Sequence, residues 1–200
     1  MASLFTLNKE EENKPAEAPS FTAIPQALFK SRTVLIFGEV DMKMAERVTA
    51  NLLALVADDP NKDIKVVIHS PGGHVESGDT IHDVIKSLRP KVKMIGTGWV
   101  ASAGTHIYLG ADRAHRFCLP NTRFMVHQPA GGIRGTASDI EIEAEEILKA
   151  QERINRTIAD ETGQPLSKVK DDTDRNFWRS AEEAKAYGIV SHIIERIDLA

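Results

Sequence analysis

Residues 96–111, GTGWVASAGTHIYLGA, set one serine, Ser102, among small residues. The apolar run Val92 to Ile95 ahead of it reads as a strand, and Thr105 to Leu109 behind it reads as a helix. Gly98 and Gly104 flank the serine, with Ala101 and Ala103 beside it. A serine on such a strand-to-helix turn can present its hydroxyl to a substrate, because glycine lets backbone approach backbone closely. The same residues also fit a plain tight turn with a buried, hydrogen-bonded serine.

Working outward, the strand–helix unit repeats. Val34-Leu35-Ile36-Phe37 reads as a buried strand. Ala45, Val48, Leu52, Leu53 and Val56 recur at helical spacing, so residues 42–58 read as an amphipathic helix stopped before Pro60. Ile64 to Ile68 is a second strand, and residues 75–88 a second helix closed before Pro90. Strands alternating with helices predict parallel pairing through right-handed crossovers, an α/β layered sheet. Arg123 to Val126 is a further short strand, followed by the glycine-rich PAGGIRG at 129–135. Ser138-Asp139-Ile140-Glu141 reads as a capping box opening a long helix to about Glu161, which can project from the body. Ser180 to Glu183 is a second such box, opening a helix that Gly188 closes, and Ile189 to Ile194 reads as the last strand.

The chain has 200 residues, 42% hydrophobic and 27% charged, which suits one globular domain over 21–200. Residues 1–20 end in the charged, proline-bearing NKEEENKPAEAPS, which predicts a solvated mobile tail. A formal net charge of −4 gives no general affinity for nucleic acid. No apolar run approaches the roughly 18 residues of a membrane span, and no secretory signal pattern opens the chain. The single cysteine, Cys118, cannot form an internal disulfide and fits a reducing compartment, so a cytoplasmic location is expected.

The second predicted strand runs into Ser70-Pro71-Gly72-Gly73. Sites in open α/β sheets form outside the carboxyl ends of strands, and two glycines there can turn backbone N–H groups toward a developing oxyanion. Pro-Gly and Gly-Gly are equally common in plain turns. A serine nucleophile also needs a base. Of the seven histidines, His127 stands at a strand end on the same sheet edge and is the favoured candidate. His106, one turn after Ser102, is expected to pack or face solvent, and His69, His82, His115 and His192 have no evident partner. No histidine pair has metal-ligand spacing, so no metal site is expected.

The ordered motifs SPGG, GxxASxG, RFCLPN, MVHQP, DIEIEAEEILK and DTDR…SAEEAKAYG resemble those of the proteolytic subunit of the Clp protease, the ClpP family, over about residues 33–195. The resemblance implies a crotonase-like fold, with the helix from Ser138 and the PAGGIRG strand before it forming a projecting handle. It implies serine peptidase activity inside two stacked seven-membered rings. AAA+ unfoldases such as ClpX or ClpA would feed in unfolded polypeptide using ATP, and the peptidase itself would need no cofactor. Carried onto this chain, Ser102 matches the nucleophile and His127 the base. Gly73 and Ala103 match the oxyanion hole, and Asp174 and Arg175 a charged pair at the contact between rings.

Three departures stand out. The family usually has a catalytic Asp where this chain has Asn176. An asparagine carbonyl can accept the histidine N–H but supplies no charge. Asn176 completes a weaker triad, or Asp172 or Asp174 substitutes, or the site stays silent until assembly orders it. Against the family pattern, Lys65 and Val67 replace two tyrosines of the cleft where the unfoldase docks, which points to a second paralogue that docks poorly itself or works in mixed rings with a more typical partner. His74 and Trp99 are unusual for their places. Beside the peptidase stand two other readings: a structural ring subunit, and a crotonase-type acyl-CoA enzyme, which would need adenine- and phosphate-binding features.

Overall fold

The computed structural model describes residues 23–132 and 134–199. The expected tail, 1–20, lies outside the described residues. Seven strands form one sheet. Five run in parallel in the order β1 (Thr33–Phe37), β2 (Ile64–Ser70), β3 (Val92–Ala101), β4 (Arg116–Cys118) and β7 (His192–Ile193). The remaining two, β5 (Arg123–Val126) and β6 (Phe177–Ser180), leave that path: β5 pairs in parallel with β3, and β6 antiparallel with β5.

The ten-residue β3 makes this branching possible. Its first half, Met94–Gly96, pairs with β4, and its second half, Trp99–Ala101, pairs with β5. Between them the register to β2 shifts, from Ile68↔Gly96 to Ser70↔Val100, and Gly98 sits at φ +57°. Such a bulge bends a strand and re-aims its later residues. Here it delivers the end of β3 to a new neighbour, immediately before Ser102.

Helices α2 (Met42–Asp58), α3 (Val75–Ser87) and α4 (Ala103–Leu109) follow β1, β2 and β3. Asp41 caps α2 by accepting from Met44 N–H at 2.7 Å. The buried stripe of α2 is Ala45, Val48, Leu52 and Leu55. Leu53 is exposed, because Leu55 lies on the same face as 48 and 52 at the 3.6-residue period. In β1 only Val34 and Ile36 are buried, while Leu35 and Phe37 face outward. The strand is therefore half-buried rather than wholly buried: it is the sheet's edge, and alternate side chains point to opposite faces.

The other α-helices among the described residues are α1 (Ala23–Lys30), α5 (Ala137–Thr162), α6 (Leu166–Thr173) and α7 (Ala181–Tyr187). The capping box of α5 is not Ser138/Glu141 but Thr136/Asp139. Thr136 Oγ accepts from Asp139 N–H, and the Asp139 carboxylate accepts from Thr136 N–H. The helix starts two residues earlier than expected because Asp serves the reciprocal role as well as Glu. PAGGIRG forms no strand among its described residues. Proline and three glycines have little tendency toward strand, and among the described residues no neighbour runs alongside them. The Ser180/Glu183 box and the Gly188 stop of α7 are as read, Gly188 taking φ +97°. The last strand shrinks to His192–Ile193, since β4, its partner, is only three residues long.

Candidate active site

Ser102 occupies the single residue between β3 and α4, with φ +55° and ψ −124°. A left-handed φ at a non-glycine residue costs of the order of 1–3 kcal/mol and persists only when its surroundings hold it. They do so here. Ser102 N–H donates to Met125 O at 2.9 Å, and the buried Thr105 hydroxyl donates to Val100 O and Met125 O. Close-packed backbone crowds the other side. A Cβ on Gly72 would lie 2.5 Å from Ser102 Cβ, so only glycine allows the Pro71–Gly73 turn to approach the serine.

His127 follows β5 directly. Its Nε2 lies 2.7 Å from Ser102 Oγ, within reach for proton transfer. The two residues come from adjacent paired strands, β3 and β5, and the pairing Ala101↔Met125 fixes their spacing. Gly73 makes a bridge with Val40 in which the hydrogen bonds run from Val40 N–H to Gly72 O and from His74 N–H to Val40 O. Gly73 N–H takes no part in it. Ala103 N–H is the first of α4, a position with no partner inside its helix. Among the described residues neither N–H has an acceptor; Ala103 follows Ser102 directly, and Gly73 follows Gly72, which packs against Ser102.

Asn176 is exposed and lines a cavity together with His127, Pro129 and Asp174. The antiparallel β5–β6 ladder ends at Val126↔Phe177. Asn176 and His127 are the residues just beyond that last pair, and both line the same cavity. Among the described residues, however, no hydrogen bond joins them. The two aspartates are committed elsewhere. Asp172 accepts from Tyr187 OH at 2.8 Å and from Lys168 at 2.5 Å. Asp174 accepts from Gln128 Nε2 through its backbone carbonyl at 2.8 Å and through its carboxylate at 3.3 Å.

The sequence and fold that carry these features match known proteins. The family model described as Clp protease matches residues 16–197. The chain belongs to the Clp protease family. It is a serine-type peptidase subunit of that family, and its fold is that of the ClpP structures. It is 54% identical over 187 residues to ATP-dependent Clp protease proteolytic subunit 3 of Rhizobium etli, covering 94% of this chain and 96% of that one. It is 56% identical over 189 residues to proteolytic subunit 2 of Gluconobacter oxydans, covering 93% and 83%. Among solved structures, an Asn-to-Asp mutant of ClpP1 from Listeria monocytogenes superposes with a TM-score of 0.81 at 55% identity, covering 88% of this chain and 98% of that one. ClpP1 of the same organism gives 0.79 at 53% over the same shares of the two chains.

The sequence reading missed the residues behind the serine. A narrow pocket opens beside Ser102 and His127. Val75, Val126, Ile154 and Ile158 wall it, and Asp79 and His106 also line it. His106 is buried, as packing predicted, but its Nε2 lies 2.9 Å from Asp79 Oδ1. Arg153 of α5 bonds the other Asp79 oxygen. Burial raises the Asp79 carboxyl's proton affinity, but its hydrogen bonds with His106 and Arg153 and the Arg153 charge outweigh it and hold the group below its ordinary range. The available signal was spacing: Asp79 lies four residues after Val75 on α3 and His106 four after Ser102, one helical turn from the turn-forming residues in each case. Trp99 takes no part in this pocket; it is half-exposed, stacked between His69 and Trp178. Among the described residues no group of three His, Cys, Asp or Glu side chains is placed to hold a metal, and no helix is long and apolar enough to cross a membrane.

Proposed function

We propose that Ser102, His127 and Asn176 cut unfolded polypeptide by acyl transfer. The observation that carries this is the 2.7 Å contact of His127 Nε2 with Ser102 Oγ at a positive-φ turn. His127 takes the hydroxyl proton as Oγ attacks the peptide carbonyl. The N–H groups of Gly73 and Ala103 receive the oxyanion. His127 returns the proton to the leaving amine, and water, activated in the same way, hydrolyses the acyl-enzyme. Asn176, near the imidazole in the same cavity, supplies it no charge, so turnover is slow. The chemistry needs no metal or cofactor on this chain.

The assembly follows from the kinship. The relatives are named as proteolytic subunits of ATP-dependent proteases, which supports a ring-forming subunit fed by an AAA+ unfoldase that spends the ATP, in the cytoplasm. Hydrolysis of fluorogenic peptides, together with intact-mass detection of a fluorophosphonate on Ser102, tests the reading. Ser102→Ala must abolish both. Peptide hydrolysis that survives Ser102→Ala would overturn it.

A further inference from the structure

The pocket beside Ser102 has a floor of one chemical kind. In a serine peptidase, the cavity adjoining the nucleophile receives the side chain on the acyl side of the scissile bond. Here the walls are aliphatic, but Asp79 and His106 line the pocket as well. In the neutral imidazole, Nε2–H donates to the Asp79 carboxylate, which leaves Nδ1 as a lone-pair acceptor. That Nδ1 is buried and unpartnered, on a side chain more than nine-tenths buried. The Asp79 oxygens, each holding one donor, keep acceptor capacity. His82 stacks on the His106 ring with centroids 4.4 Å apart, and its own Nδ1 is anchored to Asp83 at 2.9 Å. The stack holds the His106 ring in place. Both residues line an otherwise aliphatic cavity, and one buried acceptor, His106 Nδ1, has no partner.

We propose that Asp79 and His106 make this pocket select substrate residues with an apolar stem and a neutral N–H or O–H donor at the tip, the primary amide of glutamine matching best. Two amide N–H donors meet two acceptors. The Arg153 guanidinium, bonded to the other Asp79 oxygen, offsets the Asp79 charge and disfavours a lysine or arginine tip at the same place. A purely aliphatic side chain of equal length buries the same stem but leaves the acceptors without donors, and sites built to bond an N–H or O–H discriminate strongly against analogues that lack it.

The proposal rests on Ser102 as nucleophile, and the experiment separates the two. Two peptidyl diphenyl phosphonates are compared that differ only in carrying the glutamine or the methionine side chain next to phosphorus. Ser102 Oγ attacks phosphorus, phenoxide leaves, and His127 accepts the proton. The rate of Ser102 modification is read by intact mass, so slow turnover does not matter. The wild-type protein reacts at least about 10-fold faster with the glutamine probe. In Asp79→Leu and in His106→Phe the ratio falls to near one or inverts, and a ratio cancels any general loss of reactivity. Equal rates or a methionine preference in the wild type overturn the proposal, as does a glutamine preference that survives both substitutions. If a fluorophosphonate with no peptide part also fails to modify Ser102, the nucleophile assignment itself falls, and the pocket proposal with it.

Discussion

Restoring a carboxylate by Asn176→Asp measures what the missing charge costs. The reverse change, in a serine protease whose aspartate is buried against its histidine, loses roughly 10⁴ in rate, about 5 kcal/mol. That is a ceiling here, because Asn176 is exposed and makes no hydrogen bond to His127 among the described residues. Directly opposed residues in an antiparallel ladder bring side chains to about 5 Å. A unit charge at about 5 Å from a developing imidazolium is worth about 3 kcal/mol at an effective dielectric of about 20, and under about 1 kcal/mol in bulk water. The expected gain in kcat/KM is therefore about 4-fold to about 200-fold. Fluorogenic-peptide kinetics on wild type, Asn176→Asp and the double variant with Ser102→Ala give the ratio. Because the charge acts through solvent, the gain shrinks as salt is raised from about 0.05 to about 0.5 M. A gain below about 2-fold at low salt would refute the placement of residue 176 beside His127. A salt-independent gain near 10⁴ would refute its exposure.

Gly73→Ala sets a Cβ 2.3 Å from Val40 O at a backbone φ of +147°, so the bridge to the turn after β1 must break. The melting temperature falls by several degrees, and fluorophosphonate labelling of Ser102 slows as the amide moves; an unchanged melt and an unchanged label would contradict the clash. Acid weakens the fold through His82. Burial, and then the neighbouring His106, lower its proton affinity below the ordinary 6.5, against the pull of Asp83. The unfolded chain then takes up a proton that the folded one refuses, and stability drops as pH falls below about 6.5. Melting curves from about pH 8 to about pH 5 show this limb, and His82→Phe flattens it; equal slopes in the two proteins would dismiss His82 as its cause. The Cys118 thiol, fully buried, is pushed up to about 12, chiefly by burial. It reacts with a thiol-specific chromogenic disulfide at the rate of unfolding only, and rapid reaction in the native protein would show the thiol accessible.

Much of the frame was legible because it depends on local rules. The strand before Ser102, the small residues that admit the turn, the Ser180/Glu183 box and the Gly188 stop each follow from one residue's conformational demand. His127 was legible for a topological reason: it ends a strand on the same sheet edge. The illegible parts depend on partners distant in sequence. The strand β6, FWRS, has no alternating pattern and exists because β5 offers its open side. The ten-residue span of β3 was read as four, because the glycines that look like a stop are the bulge that lets it change neighbours. His106 and Asp79 looked like ordinary polar positions on two helices, and only the packing of α3 against α4, so close that a Cβ on Gly78 would lie 3.1 Å from Ala103 Cβ, makes them a pair.

The same distance in sequence governs how His127 is held. Gln128, next to it, is fixed three ways. Its N–H donates to Thr173 O at 2.7 Å, its side-chain carbonyl accepts from Gln151 at 2.8 Å, and its side-chain amide donates to Asp174 O. Thr173 is in turn anchored to the buried Asn155 at 2.9 Å. Gln151 and Asn155 lie four apart on α5, one face of the long helix. Ser102 is held differently, by Met125 O and the Thr105 hydroxyl, inside the sheet and α4. The nucleophile therefore rests on the sheet and α4, while the chain leaving β5 just after His127 leans on contacts with α5 and α6. The β3–β5 pairing sets the 2.7 Å contact on which acyl transfer depends, and α5 braces the segment beyond it; the missing carboxylate at residue 176 removes the one charge that would hold the imidazole independently of that brace.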